Sequence, residues 1–551
     1  MPKDDVTTAP APLTTEDHDE AAAAQVYDAT TAAGDSATSE TGKLKMIIDL
    51  IRRSIGIKDI ANMRLSLPAQ LLEPIPNLEY WQYCDRPDLF AAINDSPDPL
   101  ERMLAVLRFT FSKDLKYVRG RVFKPYNSVL GEYFRCHWDI LPVEYPDGDH
   151  SGAPTQHLHL FVEEPEVAPA PSKSRFGWGG FASGASTPRT ETLPAPTSNF
   201  RATASSLSLN TVKQLATPAA GHEIKESEPT PDKTIRVVYL TEQVSHHPPI
   251  SAFYYSCPTK GIECEGIDQI SANVSGMSVR IAPGKFNKGI FLRINNGPGA
   301  GESYRVTYPV ALVNGILRGN FYITVGDSTS ITCSGPTPGT KYRTVIEYKE
   351  ESWLGKPQFL VEGVIHTYED DEPPAAATST PTVSDDSAST TSSKLPKASF
   401  NGGYKEHDDW NKVKLVPKEL VVAQFEGCWK KSFRWRRVKD GVPVGEWQPL
   451  LDMASLAVFP KSVRPLEQQG QFESRKMWDS VTTNLLKKEY SEATKAKVAI
   501  EQAQRDRAAE MKRKGEEFVP KHFEPGIDAG WSELTEAGRK AVEDELVAPP
   551  P

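Results

Sequence analysis

The chain has 551 residues, 38% of them hydrophobic, with 45 prolines and 37 glycines. This balance fits one large folded body diluted by loose, Pro-rich segments. A formal net charge of −10 and a pI near 5.7 exclude a general nucleic-acid binder, which needs a basic footprint to neutralise phosphates. Cys84, Cys136, Cys257, Cys264, Cys333 and Cys428 form no CxxC pair and are scattered along the chain. They read as reduced cytosolic thiols, with neither a disulfide framework nor a zinc site.

The opening segment, residues 1–42, holds almost no large apolar side chains and is expected to be disordered. It lacks the apolar stretch of a secretory signal, and nothing in the chain reaches the ~20 apolar residues of a membrane span. The protein is therefore expected to be cytoplasmic and to meet membranes only at their surface. In KLKMIIDLIRRSIGI, Leu44, Ile47, Ile48, Ile51 and Ile55 fall on one stripe of a helix. This helix either packs on a core or closes an opening; Arg52, Arg53 and Lys58 beside it suit an anionic lipid surface.

Residues 43–530 read as a single domain carrying two disordered inserts, at about 164–230 and 369–400, both rich in Pro, Ser, Thr and acids. The first insert contains RFGWGGF, an aromatic and basic patch suited either to a bilayer interface or to an unbound linker. Around the inserts the signal is β: TIRVVYLTEQ at 234–243, YRVTYPVALV at 304–313, ILRGNFYITVGD at 316–327 and KYRTVIEYKEE at 341–351. Many short strands at this spacing predict a mainly β fold whose large antiparallel sheet closes toward a barrel to remove its edges. Residues 485–515, dense in Ala, Lys, Glu and Arg and ending at Gly515, predict a long solvent-facing helix. Residues 531–551 read as a C-terminal tail.

Chemistry concentrates in EQVSHHPP, Glu242 to Pro249. Two prolines directly after His246 and His247 force an extended turn that presents both rings at a strand end, where imidazoles can donate to phosphate oxygens. A structural strand end is the plain alternative. A metal would need further ligands, and only His157 and His159 offer them, with no Cys or carboxylate at ligand spacing. Lys497, Glu501 and Arg505 lie at i, i+4 and i+8, one helix face, which suits either an anion cup or an ordinary solvated ladder. For catalysis by His246 or His247 the nucleophile is missing: CxxxxxR, GxSxG and HExxH are all absent.

EQVSHHPP resembles the signature of the oxysterol-binding-protein-related family, and three further blocks agree with it. KPYNSVLGE at 124–132 is similar to that family's KPxNPxLGE, FESRKMWDSV at 472–481 to its ESRKxW block, and KAKVAIEQAQRDR at 495–507 to its K-x-x-x-E-x-x-x-R helix. Ser128 departs from the pattern, standing where the family has proline. The resemblance implies the short form of the family: a near-complete antiparallel β-barrel around a lipid tunnel, an N-terminal helical lid at Leu44 to Ile55, and a C-terminal helical region. It implies no cofactor, no catalysis and a monomer. The implied activity is exchange of a sterol or phosphatidylserine for phosphatidylinositol 4-phosphate at membranes of the endoplasmic reticulum, Golgi or plasma membrane. A lipid sensor without net transport is the alternative. The implied headgroup contacts are Lys124, Asn127, His246, His247, Lys497, Glu501 and Arg505.

Overall fold

The computed structural model describes residues 69, 72–119, 124–158, 224–226, 233–275, 278–315, 322–336, 339–351, 357–370 and 406–549. The lid positions Leu44, Ile47, Ile48, Ile51 and Ile55, the segment 1–42 and most of both inserts lie outside these residues.

In chain order the strands are β1 (Leu72–Pro76), β2 (Lys124–Tyr126), β3 (Tyr133–Ile140), β4 (Gln156–Leu158), β5 (Ile224–Glu226), β6 (Ile235–Ser245) and β7 (Ile250–Cys257). They continue with β8 (Ile262–Asp268), β9 (Ile270–Ser275), β10 (Ser278–Pro283), β11 (Ile290–Ile294), β12 (Ser303–Val306), β13 (Val310–Asn314) and β14 (Tyr322–Gly326). The remainder are β15 (Ser328–Ser334), β16 (Gly339–Tyr348), β17 (Leu360–Asp370), β18 (Val421–Cys428), β19 (Ser432–Lys439) and β20 (Val442–Asp452). Four longer helices accompany them: α1 (Pro99–Ser112), α2 (Ser474–Leu486), α3 (Tyr490–Lys514) and α4 (Glu536–Leu546).

Twelve strands form one antiparallel sheet in the order β3-β6-β7-β8-β11-β12-β15-β16-β17-β18-β19-β20. A second sheet, β9-β10-β13-β14, consists of two hairpins that leave the first sheet between β8 and β11 and between β12 and β15. Long strands thus bend out of the main sheet, and Asp268 and Tyr308 lie at two of these bends. The predicted run 304–313 is therefore two strands, split at 307–309. The outer edge of β3 does not stay open: His137 exchanges backbone hydrogen bonds of 3.1 and 2.8 Å with Ser462, and Tyr133 N–H donates to Phe472 O at 3.0 Å. The chain leaving β20 thus returns to the first strand and covers part of the free edge of β3.

Helix α1 is the main element absent from the sequence reading. Asp98 caps it by accepting from Leu100 N at 2.7 Å, and twelve of its residues are buried. Leu100, Met103, Leu104, Leu107 and Phe111 form one stripe, and the helix packs against β15, β16 and β20 with most of its other residues buried as well. Phe111 stacks on Phe433 at 3.8 Å between ring centroids. Its two buried arginines are satisfied: Arg102 pairs with Glu302, and Arg108 donates to the carbonyls of Leu450, His150, Ser151 and Gly152.

Two expectations are corrected. Residues 531–551 are no loose tail, because α4 covers the outer face of β6, where Val238 and Leu240 pack with Ala541 and Val542. Glu545 fixes it by accepting from Arg464 and facing His137 Nδ1 at 2.9 Å, while Arg236 donates to the carbonyls of Glu545, Leu546 and Ala548. The first insert is likewise not wholly unstructured, since Ile224–Glu226 pairs in parallel with Gln156–Leu158.

Candidate functional site

The KPYNSVLGE segment begins as β2, parallel to β1, then turns through Asn127 and Ser128 into β3. Its anchor is Tyr126, fully buried, with its ring 4.8 Å from that of Trp478 and its hydroxyl 2.5 Å from Thr482 Oγ1. The turn is then tied to α2 by Glu132, which no solvent reaches. Its carboxylate accepts from Val129 N at 3.0 Å, Ser474 Oγ at 2.7 Å and Trp478 Nε1 at 3.0 Å. Burial pushes this acid up to about 7 despite the three donors. Asn127 is left exposed at the tip, while Ser128 is buried and its hydroxyl has no hydrogen-bond partner among the described residues. Lys124 is placed here by its backbone alone.

EQVSHHPP meets this loop directly. Gly131 N donates to Gln243 O at 3.0 Å and Gln243 N to Glu132 O at 2.8 Å. The turn holding Ser128 and the turn holding His246 each lie three residues beyond that pair, so neither Cα can be more than about 11 Å from it. His247 is exposed and His246 half-buried, their rings 4.4 Å apart at 60°. Glu242 turns inward instead, accepting from the backbone of Lys521 at 2.8 Å and of His522 at 2.7 Å.

Helix α3 completes the site. It starts at Tyr490, five residues later than the predicted stretch, and stops where Gly515 takes φ +70°. Ala493, Ala496, Ile500 and Gln504 form its inward stripe, and the first three join a cluster with Tyr126, Val129, Trp478 and Val481. Lys497 lies on that same stripe and is only 4% exposed. Its ammonium meets Glu501 at 2.8 Å; Arg505, more than half exposed, stands 4.0 Å from the other oxygen of Glu501. The solvent-facing ladder expected from sequence is thus solvated only at the Arg505 end. Asn127, His246, His247, Lys497, Glu501 and Arg505 lie on segments that the structure brings together.

A second polar cluster escaped the sequence reading. Tyr83 donates its hydroxyl to Asp268, and its ring lies 5.5 Å from that of Tyr308. Lys113 stands 5.9 Å over the Tyr308 ring. Burial pushes Asp268 up to about 7 and raises both phenols well above their usual range. Tyr83, Tyr308 and Asp268 nevertheless keep accessible surface of their own. No periodicity marks them, because Tyr83 comes from the segment before α1 and the other two from strand bends.

A family model described as oxysterol-binding protein matches residues 46–164 and 222–540. Oxysterol-binding protein-like protein 1 of Schizosaccharomyces pombe is 38% identical over 518 residues, covering 92% of this chain and 92% of that protein. Human oxysterol-binding protein-related protein 10 is 24% identical over 489 residues, and the match spans 87% of this chain but 47% of the relative. The Osh1 ORD domain, solved in complex with ergosterol, superposes with a TM-score of 0.52 at 17% identity, covering 91% of this chain and 88% of that one, a likeness of fold. The chain belongs to the oxysterol-binding protein family, whose members bind and transfer lipids and are not enzymes.

Proposed function

We propose that this protein carries one lipid at a time in an internal cavity and reads an inositol phosphate headgroup at its mouth, exchanging phosphatidylinositol 4-phosphate for a sterol between membranes. The observation that carries the reading is the cluster of Tyr83, Tyr308 and Asp268. Desolvated ionisable side chains that still keep accessible surface suit a cavity wall. Burying a lipid's hydrocarbon there is worth roughly 25 cal/mol per Å², ample affinity without any chemical step. The cluster offers hydroxyl groups and one carboxyl that burial keeps largely protonated below neutral pH. It suits the single hydroxyl of a sterol better than the charged head of phosphatidylserine. The family's name and the ergosterol held by the Osh1 ORD domain point the same way.

At the mouth, His246, His247, Lys497 and Arg505 supply charge-assisted donors to phosphate, Asn127 and Glu501 suit inositol hydroxyls, and Lys124 follows from the motif. Among the described residues no helix is long and apolar enough to cross a membrane. The protein acts as a monomer from the cytoplasmic side, touching membranes at their surface.

The test is liposome-to-liposome transfer with the lipids copurifying with the protein identified by mass spectrometry. His246→Ala with His247→Ala is expected to abolish extraction of phosphatidylinositol 4-phosphate while sterol binding and fold persist. Loss of both ligands together would make the histidines structural, and a wild type that holds its ligand without moving it would make the protein a sensor.

A further inference from the structure

We infer that the β19–β20 hairpin is a docking element for anionic bilayers, separate from the headgroup site. Its tip is open to solvent: Val442 through Glu446 are all exposed, Val442 by 62% and Val444 by 50%. The basic charge sits on β19 and the two residues before it. Residues 430–449 hold six cations (Lys430, Lys431, Arg434, Arg436, Arg437, Lys439) against two acids (Asp440, Glu446), a net +4 in a chain of net −10. On the outer face, Trp447 lies under Arg436 at 4.3 Å and Arg434 at 4.7 Å, with Arg434 also paired to Glu426. Toward the tip, Arg437 stands opposite Val444 and Lys439 opposite Val442.

An apolar tip flanked by Arg, Lys and Trp suits the interface of a negatively charged membrane, where the valines and indole enter the headgroup layer and the cations meet phosphates. Another protein strand is a poorer occupant. Although β20 is an edge, Pro443 and Pro449 remove two of its donors and register shifts interrupt its pairing with β19. The antiparallel register puts this tip far from the site: the His246 turn follows the end of β6, level with the ends of β8, β16 and β20, whereas the tip joins the end of β19 to the start of β20. A bilayer held by the hairpin therefore leaves the headgroup site uncovered.

The test is cosedimentation of the full chain with phosphatidylserine/phosphatidylcholine vesicles free of phosphoinositide, in the His246→Ala/His247→Ala background so that headgroup reading contributes nothing. Each surface cation is expected to contribute roughly five-fold. Arg437→Gln with Lys439→Gln should therefore weaken binding about 25-fold, and raised salt should do the same to the parent. Val442→Ser with Val444→Ser should weaken it without removing the salt dependence. Unchanged binding by both pairs overturns the inference. So does a concentration-dependent dimer that these substitutions abolish while vesicle binding persists, since the occupant would then be a second copy. Failure of phosphoinositide extraction in the wild type would sink the proposed function and leave this result standing.

Discussion

Glu132 is where stability and the proposed headgroup reading meet, and replacing it separates several effects. Its three donors, Val129 N, Ser474 Oγ and Trp478 Nε1, all lie within 3.0 Å. Bonds to a charged acceptor are worth ~1.5–3 kcal/mol each and are not additive, so Glu132→Ala should cost about 3–5 kcal/mol. The Asn127 turn should loosen with it, lowering phosphoinositide extraction. The pH dependence follows from the raised carboxyl. Folding lifts it from 4.5 to about 7, so the folded state holds the proton more tightly than the unfolded chain. The contribution is complete below 4.5 and is lost as pH climbs through 7; between pH 5 and pH 8 the wild type should forfeit about 2.5 kcal/mol from this group. Glu132→Gln cannot titrate, so its cost relative to wild type should shrink by that amount over the same range. Denaturant unfolding at the two pH values measures it, and an equal cost at both would refute the account of Glu132 as a carboxyl held in a dry site.

Glu79 should behave in the opposite sense. Burial disfavours its charge, but Arg475 at 2.7 Å and Lys461 at 3.5 Å override this and hold it at about 2. Its contribution of about 3 kcal/mol is present above pH 4.5 and lost as pH falls through 2, so Glu79→Gln should cost less than half as much at pH 3 as at pH 7 in the same unfolding assay. Tyr83→Phe removes the phenol that meets Asp268 and should weaken sterol retention roughly five- to ten-fold with phosphoinositide extraction unchanged, read by competitive displacement of a fluorescent sterol. Ser128→Ala removes a buried hydroxyl that lacks a partner among the described residues and should raise stability by about 1 kcal/mol; a drop in the denaturation midpoint would show that the hydroxyl is satisfied in solution.

Strands declared themselves in the sequence where one face is polar or the β-branched run is long, as at 234–243, which overlaps β6, and 341–351, which overlaps β16. Helix α1 was missed although Leu100, Met103, Leu104, Leu107 and Phe111 repeat at helical spacing directly after the Asp98–Pro99 start signal. Helix α4 escaped for a physical reason. Its inward face is thin in hydrophobes and is held mainly by Glu545, a charged residue that periodicity scores as solvent-facing. The segments of the candidate site were legible only as motifs, since their convergence depends on pairings hundreds of residues apart, such as Trp478 with Glu132. The Tyr83, Tyr308 and Asp268 cluster was invisible, its members being contributed by two strand bends and a turn.

The four motifs share a division of labour that explains why each carries an acid. In EQVSHHPP, Glu242 turns inward to hold the backbone of Lys521 and His522; in KPYNSVLGE, Glu132 holds α2. In FESRKMWDSV, Glu473 accepts from Gly470 N at 3.0 Å and pairs with Arg135 on β3. In the late helix, Glu501 steadies Lys497. Glu242, Glu132 and Glu473 each fix one segment against another, while Glu501 acts within its own helix. The cations, imidazoles and amide next to them are thereby held in place, a condition for binding a rigid, multiply charged headgroup without losing the affinity to side-chain ordering.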